Sequence, residues 1–430
     1  MPMTRPLERL VGGGGWVRAA ANGMSNSVKN YYTTFALWEW CRARTRALTL
    51  RSGRIGDHPG MPSSRRAAHP DRLPPRRRAL GLLAALAAAG GWRPARALPA
   101  RVLAFPRDHG SHPDLRTEWW YITGQAQAAQ DGRRFGFQIT FFRSRVDAAQ
   151  GLRSAFAAKQ LLFAHAAVTD LQGRRLLHDQ RIARAGFGIA QAAEADTDVR
   201  LRDWSLVRRA ADGSYQAEAP CEGFALSLRF APTQPPLLQG EAGLSRKGPE
   251  PAQASYYYSQ PQLEAAGRIA LAGQGRFEVR GRAWLDHEWS EALMHPEAVG
   301  WDWIGMNLDD GTALTAFRLR RADGSALWAG GSWRAAGGAA RAFGPGEVRF
   351  EPVRSWVSPR SSARYPVQWT VHTPAGRFAV QALLDDQELD SRGSTGAIYW
   401  EGLSELQDAQ GRRVGAGYLE MTGYAARLRL

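Results

Sequence analysis

Short alternating runs punctuated by Asp-Gly pairs constrain this chain more than any other feature. Arg134–Phe142, Gly223–Phe230, Arg276–Trp284, Ala313–Arg320 and Val367–Thr373 alternate over seven to nine residues and are rich in aromatic and β-branched side chains. That period of two is the mark of strands with one buried face. Asp131-Gly132, Asp212-Gly213, Asp310-Gly311 and Asp323-Gly324 each suit a tight hairpin, because glycine accepts the positive φ that such turns demand. Long helical periods are scarce, and Ala157–Leu171 reads either way, as a helix or as a strand in its later half. Many short strands with hairpin turns predict an all-β molecule of sandwiches or barrels.

The pattern is also doubled. Glu118–Arg143 reads Trp-Trp-Tyr-Ile, then Asp-Gly, then an aromatic strand ending in arginine. Gly300–Arg320 reads Trp-Asp-Trp-Ile, then Asp-Gly, then Phe-Arg. Two copies of one strand–turn–strand opening predict two tandem antiparallel β-barrels, at 98–296 and 297–430.

The net charge of +16 does not belong to these barrels. Of 56 basic and 40 acidic residues, 17 and 4 fall within 1–97, leaving 39 and 36 for the remainder. A nearly neutral body lacks the basic clusters of a nucleic-acid surface, so no nucleic-acid partner is expected. The segment Pro74–Ala100 has three consecutive arginines (Arg76, Arg77, Arg78), an apolar run too short to span a bilayer, and Ala95-Arg96-Ala97. It reads as a twin-arginine-type export signal cleaved before Leu98, with Met61 as the start of translation. The mature protein is then expected to be exported, periplasmic or attached to a membrane surface. Only Cys221 lies in the body, so no internal disulfide or cysteine metal site is available there, and a small buried role is expected.

The richest chemistry lies in Trp284–Ser290, Trp-Leu-Asp-His-Glu-Trp-Ser. On a strand, Trp284, Asp286 and Glu288 share one face, and Leu285, His287 and Trp289 the other. A barrel interior can see only one set. Either His287 meets Trp289 in an apolar pocket, or Asp286 and Glu288 share a cavity and one holds its proton near neutrality. A structural alternative is that Asp286 or His287 caps a turn while the tryptophans plug the barrel. Glu118, Trp120 and Ile122 alternate with Trp119 and Tyr121, and Trp301 and Trp303 share a face opposite Asp302. These aromatics, with Tyr256, Tyr257 and Tyr258 beside a proline-rich loop, either line a pocket or close a barrel end. His109 and His112 could hold a metal with Asp108 or Asp114, although a solvated loop is the simpler reading. HExxH, G-x-S-x-G, GxGxxG and P-loop motifs are absent from the sequence.

Phe105–Gly124, Ser255–Leu263, Gly281–Ser290, Trp301–Gly311, Tyr399–Gly402 and Gly417–Tyr424 together resemble the AttH/carotenoid 1,2-hydratase (hydroxyneurosporene synthase) family, whose members are often described as predicted secreted hydrolases. The resemblance spans nearly all of 98–430 in order. It implies that the two barrels are lipocalin-like. It further implies a hydratase that adds water to a terminal double bond of an acyclic carotenoid, or a protein that handles lipid beside an envelope ABC transporter. The hydratases' His-x-Trp pair matches His287 and Trp289. On this basis Asp286 is expected to be the acid, His287 to position water, and Trp289 to face the cation. Trp284, Glu288, Trp119, Trp120, Tyr121, Tyr257, Tyr258, Trp301 and Trp303 are the expected substrate-binding residues. The expected ligand is a hydrophobic small molecule, carotenoid or lipid, and the chemistry calls for no metal or organic cofactor. The alternative is a carrier that binds lipid without changing it.

Overall fold

A computed structural model describes residues 97–428 apart from residue 293. The expected leader, its arginines, Cys41 and the Met61 start all lie outside the described residues. The body is all-β: among the described residues the only helices are three-residue 3-10 turns at Arg107–His109 and Asp147–Ala149. Two antiparallel sheets, of 13 and 10 strands, share the chain. The chain changes sheet in the segment 291–299.

Nine strands surround the space between the two sheets. In the first sheet they are β1 (Thr117–Ala128), β2 (Arg134–Arg145), β3 (Gln160–Asp170), β4 (Ala254–Leu271) and β5 (Gly275–Ser290), ordered β3-β2-β1-β5-β4. In the second they are β6 (Gly300–Leu308), β7 (Ala313–Arg320), β8 (Ala397–Gln407) and β9 (Arg413–Met421), ordered β7-β6-β9-β8. The two sequence echoes are the hairpins β1–β2 and β6–β7, and they hold equivalent places: β1 pairs onward with β5, and β6 with β9. The four Asp-Gly turns carry glycine φ values of 70° to 86°. Ala157–Leu171 resolves as strand, since β3 occupies most of it.

The first sheet curls until β3 and its neighbour Arg175–Arg184 approach Asp198–Leu201, giving a nearly closed barrel. Its interior is filled by Trp120, Phe135, Phe137, Trp204, Leu228, Tyr258 and Trp289, all under 2 % exposed. The second sheet wraps a separate core of Met306, Leu314, Trp369, Val380, Trp400 and Leu419. Both interiors are packed with buried side chains.

The space lies between the sheets instead. From Ala283 to Ser290, β5 is buried on both faces, because one face packs into the first barrel and the other faces the second sheet. This is why alternation fades there. A third apolar cluster fills the junction, with Tyr121, Leu237, Trp284, Trp303, Phe317, Leu403 and Tyr418. Gly305 permits the close approach, as a Cβ there would sit 2.3 Å from Trp303 and 3.2 Å from Trp284. Buried polar bonds add specificity. A bulge in β4 between Gln260 and Leu263 turns Gln262 toward the second sheet, where its backbone N–H donates to Asn307 Oδ1 (2.8 Å). Asn307 Nδ2 in turn donates to the Ala283 carbonyl (3.0 Å).

Candidate functional site

Strand alternation decides which side chains reach the inter-barrel space. Cross-strand pairs Trp119–Glu288, Tyr121–Asp286 and Thr123–Trp284 face the second sheet. Pairs Glu118–Trp289, Trp120–His287 and Ile122–Leu285 face the first barrel's interior. From the opposite side Trp301, Trp303, Phe317, Leu319, Tyr399, Glu401 and Glu420 project toward β1, β2 and β5. Together they enclose a cavity of about 250 Å³. Its walls are chiefly aromatic, with Phe142 and Phe163 adding to those named. Its polar groups include Asp286, Glu288, Glu401, Glu420, Lys247, Gln138, Tyr121, Tyr257 and His165.

Asp286 is 3 % exposed and held by three donors. Tyr257 Oη donates to Oδ2 (2.7 Å), while Ser259 Oγ (2.5 Å) and Trp284 Nε1 (2.7 Å) donate to Oδ1. Burial nevertheless outweighs these bonds, and with Glu288 nearby it pushes the carboxyl up to about 7. Glu288 lies 3.0 Å from Lys247 Nζ, which itself sits over the rings of Tyr257 (4.6 Å) and Phe317 (4.3 Å). The ion pair is close but poorly aligned, so Glu288 Oε1 has no hydrogen-bond donor.

Two further carboxylates are directly opposed across β8 and β9: Glu401 pairs with Glu420. Burial, then the charge of Glu420, drives the Glu401 carboxyl well above its usual range. Glu420 keeps some accessible surface because it faces the void. Enclosure by protein still dominates, and burial with Asp286 and Glu288 nearby pushes it up to about 7. Gln138 Nε2 donates to Glu401 Oε2 (2.6 Å) and to Tyr399 Oη (3.2 Å), and Tyr399 Oη contacts His165 Nδ1 (2.8 Å). Burial depresses His165 to about 3, so its ring is neutral. The Tyr121 hydroxyl approaches Glu401 without an aligned bond.

His287 and Trp289 are elsewhere. The fold does not assemble them with Asp286, because adjacent residues of a strand point to opposite faces. His287 is stacked on Trp120 (4.7 Å, 21°) inside the first barrel, with Nε2 3.0 Å from Glu118 Oε1 and Nδ1 3.3 Å from Tyr258 Oη. Burial lowers it to about 4. Trp289 stacks on His112 (3.9 Å, 2°). Trp120 and Tyr258 belong to the same interior, so all four are corrected from cavity residues to barrel-core residues. Trp284 lies beneath the cavity, packed edge-on to Trp303 and bonded to Asp286. Glu288, Trp119, Tyr121, Tyr257, Trp301 and Trp303 do line it.

The Asp108–His112 segment is a second correction. It is not a solvated loop: Asp108, His109 and His112 are all buried. Glu118 gathers them. Its carboxylate accepts from Ser111 Oγ (3.0 Å), the His112 backbone (2.9 Å), His112 Nδ1 (2.7 Å), His287 Nε2 (3.0 Å) and Arg143 Nε (2.7 Å). His112, Glu118 and His287 bring ligand atoms within 4.8 Å, the one such group among the described residues. A metal there would have to displace the Arg143 guanidinium and two ring N–H donors. The donor set fits an anchoring network better than a metal centre. Cys221, expected to be buried, is half-buried.

Sequence reasoning missed Glu401, Glu420, Gln138, His165 and Lys247. Two signals were available for the glutamates: they lie in Tyr399–Gly402 and Gly417–Tyr424, two of the segments that carry the family resemblance, and if β6 repeats β1, the strand pairing with β6 repeats β5, and Glu420 pairs with Trp303 as Asp286 pairs with Tyr121.

Comparison with known proteins agrees with this architecture. The family model described as AttH-like matches residues 96–424. A crystal structure provisionally assigned as AttH from Nitrosomonas europaea is 47% identical, covers 77% of this chain and 99% of its own, and superposes with a TM-score of 0.71. Kievitone hydratase from Nectria haematococca shares the fold at 13% identity, covering 76% of this chain and 94% of its own, with a TM-score of 0.59. No match was found among curated proteins.

Proposed function

The chain belongs to the AttH-like family, and from that premise we propose that its inter-barrel cavity binds an apolar isoprenoid or lipid and adds water across a carbon–carbon double bond. The observation that carries this reading is a buried carboxyl group, Asp286, set in an aromatic-walled cavity with donors already in place for its anion. A neutral Asp286 gives its proton to one alkene carbon, and the other carbon becomes a cation. The carboxylate left behind is stabilised by Tyr257, Ser259 and Trp284, whose positions need no reorganisation. Aromatic faces stabilise the developing cation by roughly 0.5–2 kcal/mol each when desolvated. Water then bonds to the cation and loses a proton to the neighbouring carboxylate of Glu288, and proton exchange restores Asp286. No step calls on His287 or Trp289, which hold β1 and β5 in register from behind.

One observation favours a second reading. Both oxygens of Asp286 are already occupied by protein donors, as in a site built to hold rather than to react. On that reading the protein carries an unchanged lipid, beside an envelope transporter and outside the cytoplasmic membrane. Cell fractionation tests that location, which fails if the protein remains in the cytoplasm.

The experiment is mass spectrometry after incubation with an acyclic carotene, and separately with a lipid extract, in ¹⁸O-labelled water. A product heavier by one labelled water, lost in Asp286→Asn, supports the hydratase. Labelled cleavage products indicate a hydrolase. Unchanged lipid that co-purifies with the protein supports the carrier, and no binding with no product refutes both.

A further inference from the structure

The cavity's charge is one-sided. On one side Lys247 is a resident cation, close to Glu288 and over two aromatic rings. On the other side Glu401 and Glu420 face each other with similar aromatic company, Tyr121, Trp301, Trp303 and Tyr399. Among the described residues neither forms an ion pair, and the charged groups acting on them are acidic: each other, with Asp286 and Glu288. The remaining polar neighbours are neutral: Tyr121 from β1, Gln138 from β2, Trp301 from β6 and Tyr399 from β8.

The same wall carries unspent hydrogen-bonding capacity. Glu401 Oε1, Gln138 Oε1 and Tyr121 Oη have no partner. Their residues are 2 %, 2 % and 7 % exposed, and all three line the cavity. Buried polar atoms are rarely left so: the Gln138 oxygen can only accept, and the Glu401 oxygen can only accept once its proton has left. A donor brought by whatever fills the space would satisfy both. Acceptors, carboxylates and aromatic faces together are the chemistry that recognises an ammonium group.

We propose that the cavity is a binding site for an apolar molecule ending in a protonated amine, with that cationic end lodged between Glu401 and Glu420. This ligand would occupy the same cavity as the proposed alkene substrate, but its binding does not depend on the hydration step. When the cavity is empty, protons neutralise the glutamate pair. An arriving cation takes their place, so binding releases a proton to solvent. Lys247 at the far side, paired with Glu288, keeps a second cation from entering there and sets the ligand's direction.

Isothermal titration calorimetry of the full chain at pH 7 tests this with three probes of equal tail: octylammonium, 1-octanol and octanoate, each below micelle-forming concentrations. The ammonium is expected to bind at least ten-fold more tightly than octanol, with an enthalpy that shifts with the ionisation heat of the buffer. Octanoate is expected to be the weakest. Glu401→Gln and Glu420→Gln, tested singly, should each reduce ammonium affinity about ten-fold and leave octanol binding intact, which also reports that the variants fold. Octanol binding equal to or tighter than ammonium binding overturns the inference while leaving an apolar site for the proposed reaction. Failure of all three probes overturns both.

Discussion

Replacing Glu118 by glutamine tests whether the His112–Glu118–His287 cluster anchors the barrel or does chemistry. The glutamate is wholly buried and accepts from Arg143, His112, His287 and Ser111. Glutamine keeps the shape but removes the charge, and turns one acceptor oxygen into a donor facing donors. Arg143, itself 2 % exposed, would then be a buried cation without its counter-charge. Breaking a buried pair in this way costs about 3–5 kcal/mol. For a unit of this size that corresponds to a fall in Tm of roughly 4–7 °C. Acid sensitivity should change as well. Burial opposes the Glu118 charge, but His112, His287 and Arg143 overcome it and hold the carboxyl far below its ordinary range. A depressed carboxyl stabilises fully above its unfolded pKa of about 4.3, and that stability drains away as pH falls toward the folded value. Glu118→Gln should therefore show a shallower loss of stability below pH about 4. Denaturant unfolding from pH 3 to 8 measures both. A loss under about 1 kcal/mol at pH 7, with an unchanged acid slope, would refute the anchoring account.

Other expectations can be measured alongside. His287→Gln should lower Tm and leave octanol affinity unchanged, whereas Asp286→Asn should abolish hydration and leave apolar binding in place; calorimetry and product analysis separate them. Trp303→Ala removes a wall packed on Tyr121 and Trp284 and should cost about 3–5 kcal/mol in denaturant unfolding. Asp286 and Glu420, each raised to about 7, lend stability that is present at low pH and is lost as pH rises from about 4 to 7. His287, lowered to about 4, does the opposite, losing its share as pH falls from about 6.5 to 4. The two trends oppose each other in the wild type. The Asp286→Asn, Glu420→Gln double variant should therefore lose stability as pH falls below about 6.5, a window in which the two carboxyls of the wild type offset the histidine.

How much of this could be read from residues alone varies along the chain. Ala313–Arg320 coincides with β7 residue for residue, because the Asp-Gly turn fixes where it starts, although both of its faces are buried. The split of Asp286 from His287 was also legible, since it follows from the pleat. Which set meets a cavity was not. Both faces of β5 are buried, and composition cannot tell a barrel interior from a junction between barrels. Glu401 and Glu420 were hidden for a related reason: each is unremarkable in its own strand and becomes a site only when β8 pairs with β9 and both face β1. The Asp108–His112 loop misled because its polar residues suggest solvent, while the five donors around Glu118 exist only once β1, β2 and β5 are side by side.

The central claim is that carboxyl groups between the barrels keep their protons near neutrality. Difference infrared spectroscopy across a pH titration reads this directly, through the carbonyl stretch of a protonated carboxyl in a dry setting. The account predicts such a band at pH 6, its loss as pH rises through about 7, and its reduction in Asp286→Asn and in Glu420→Gln. Carboxyl groups already ionised at pH 5, with the spectrum unchanged by either substitution, would contradict it.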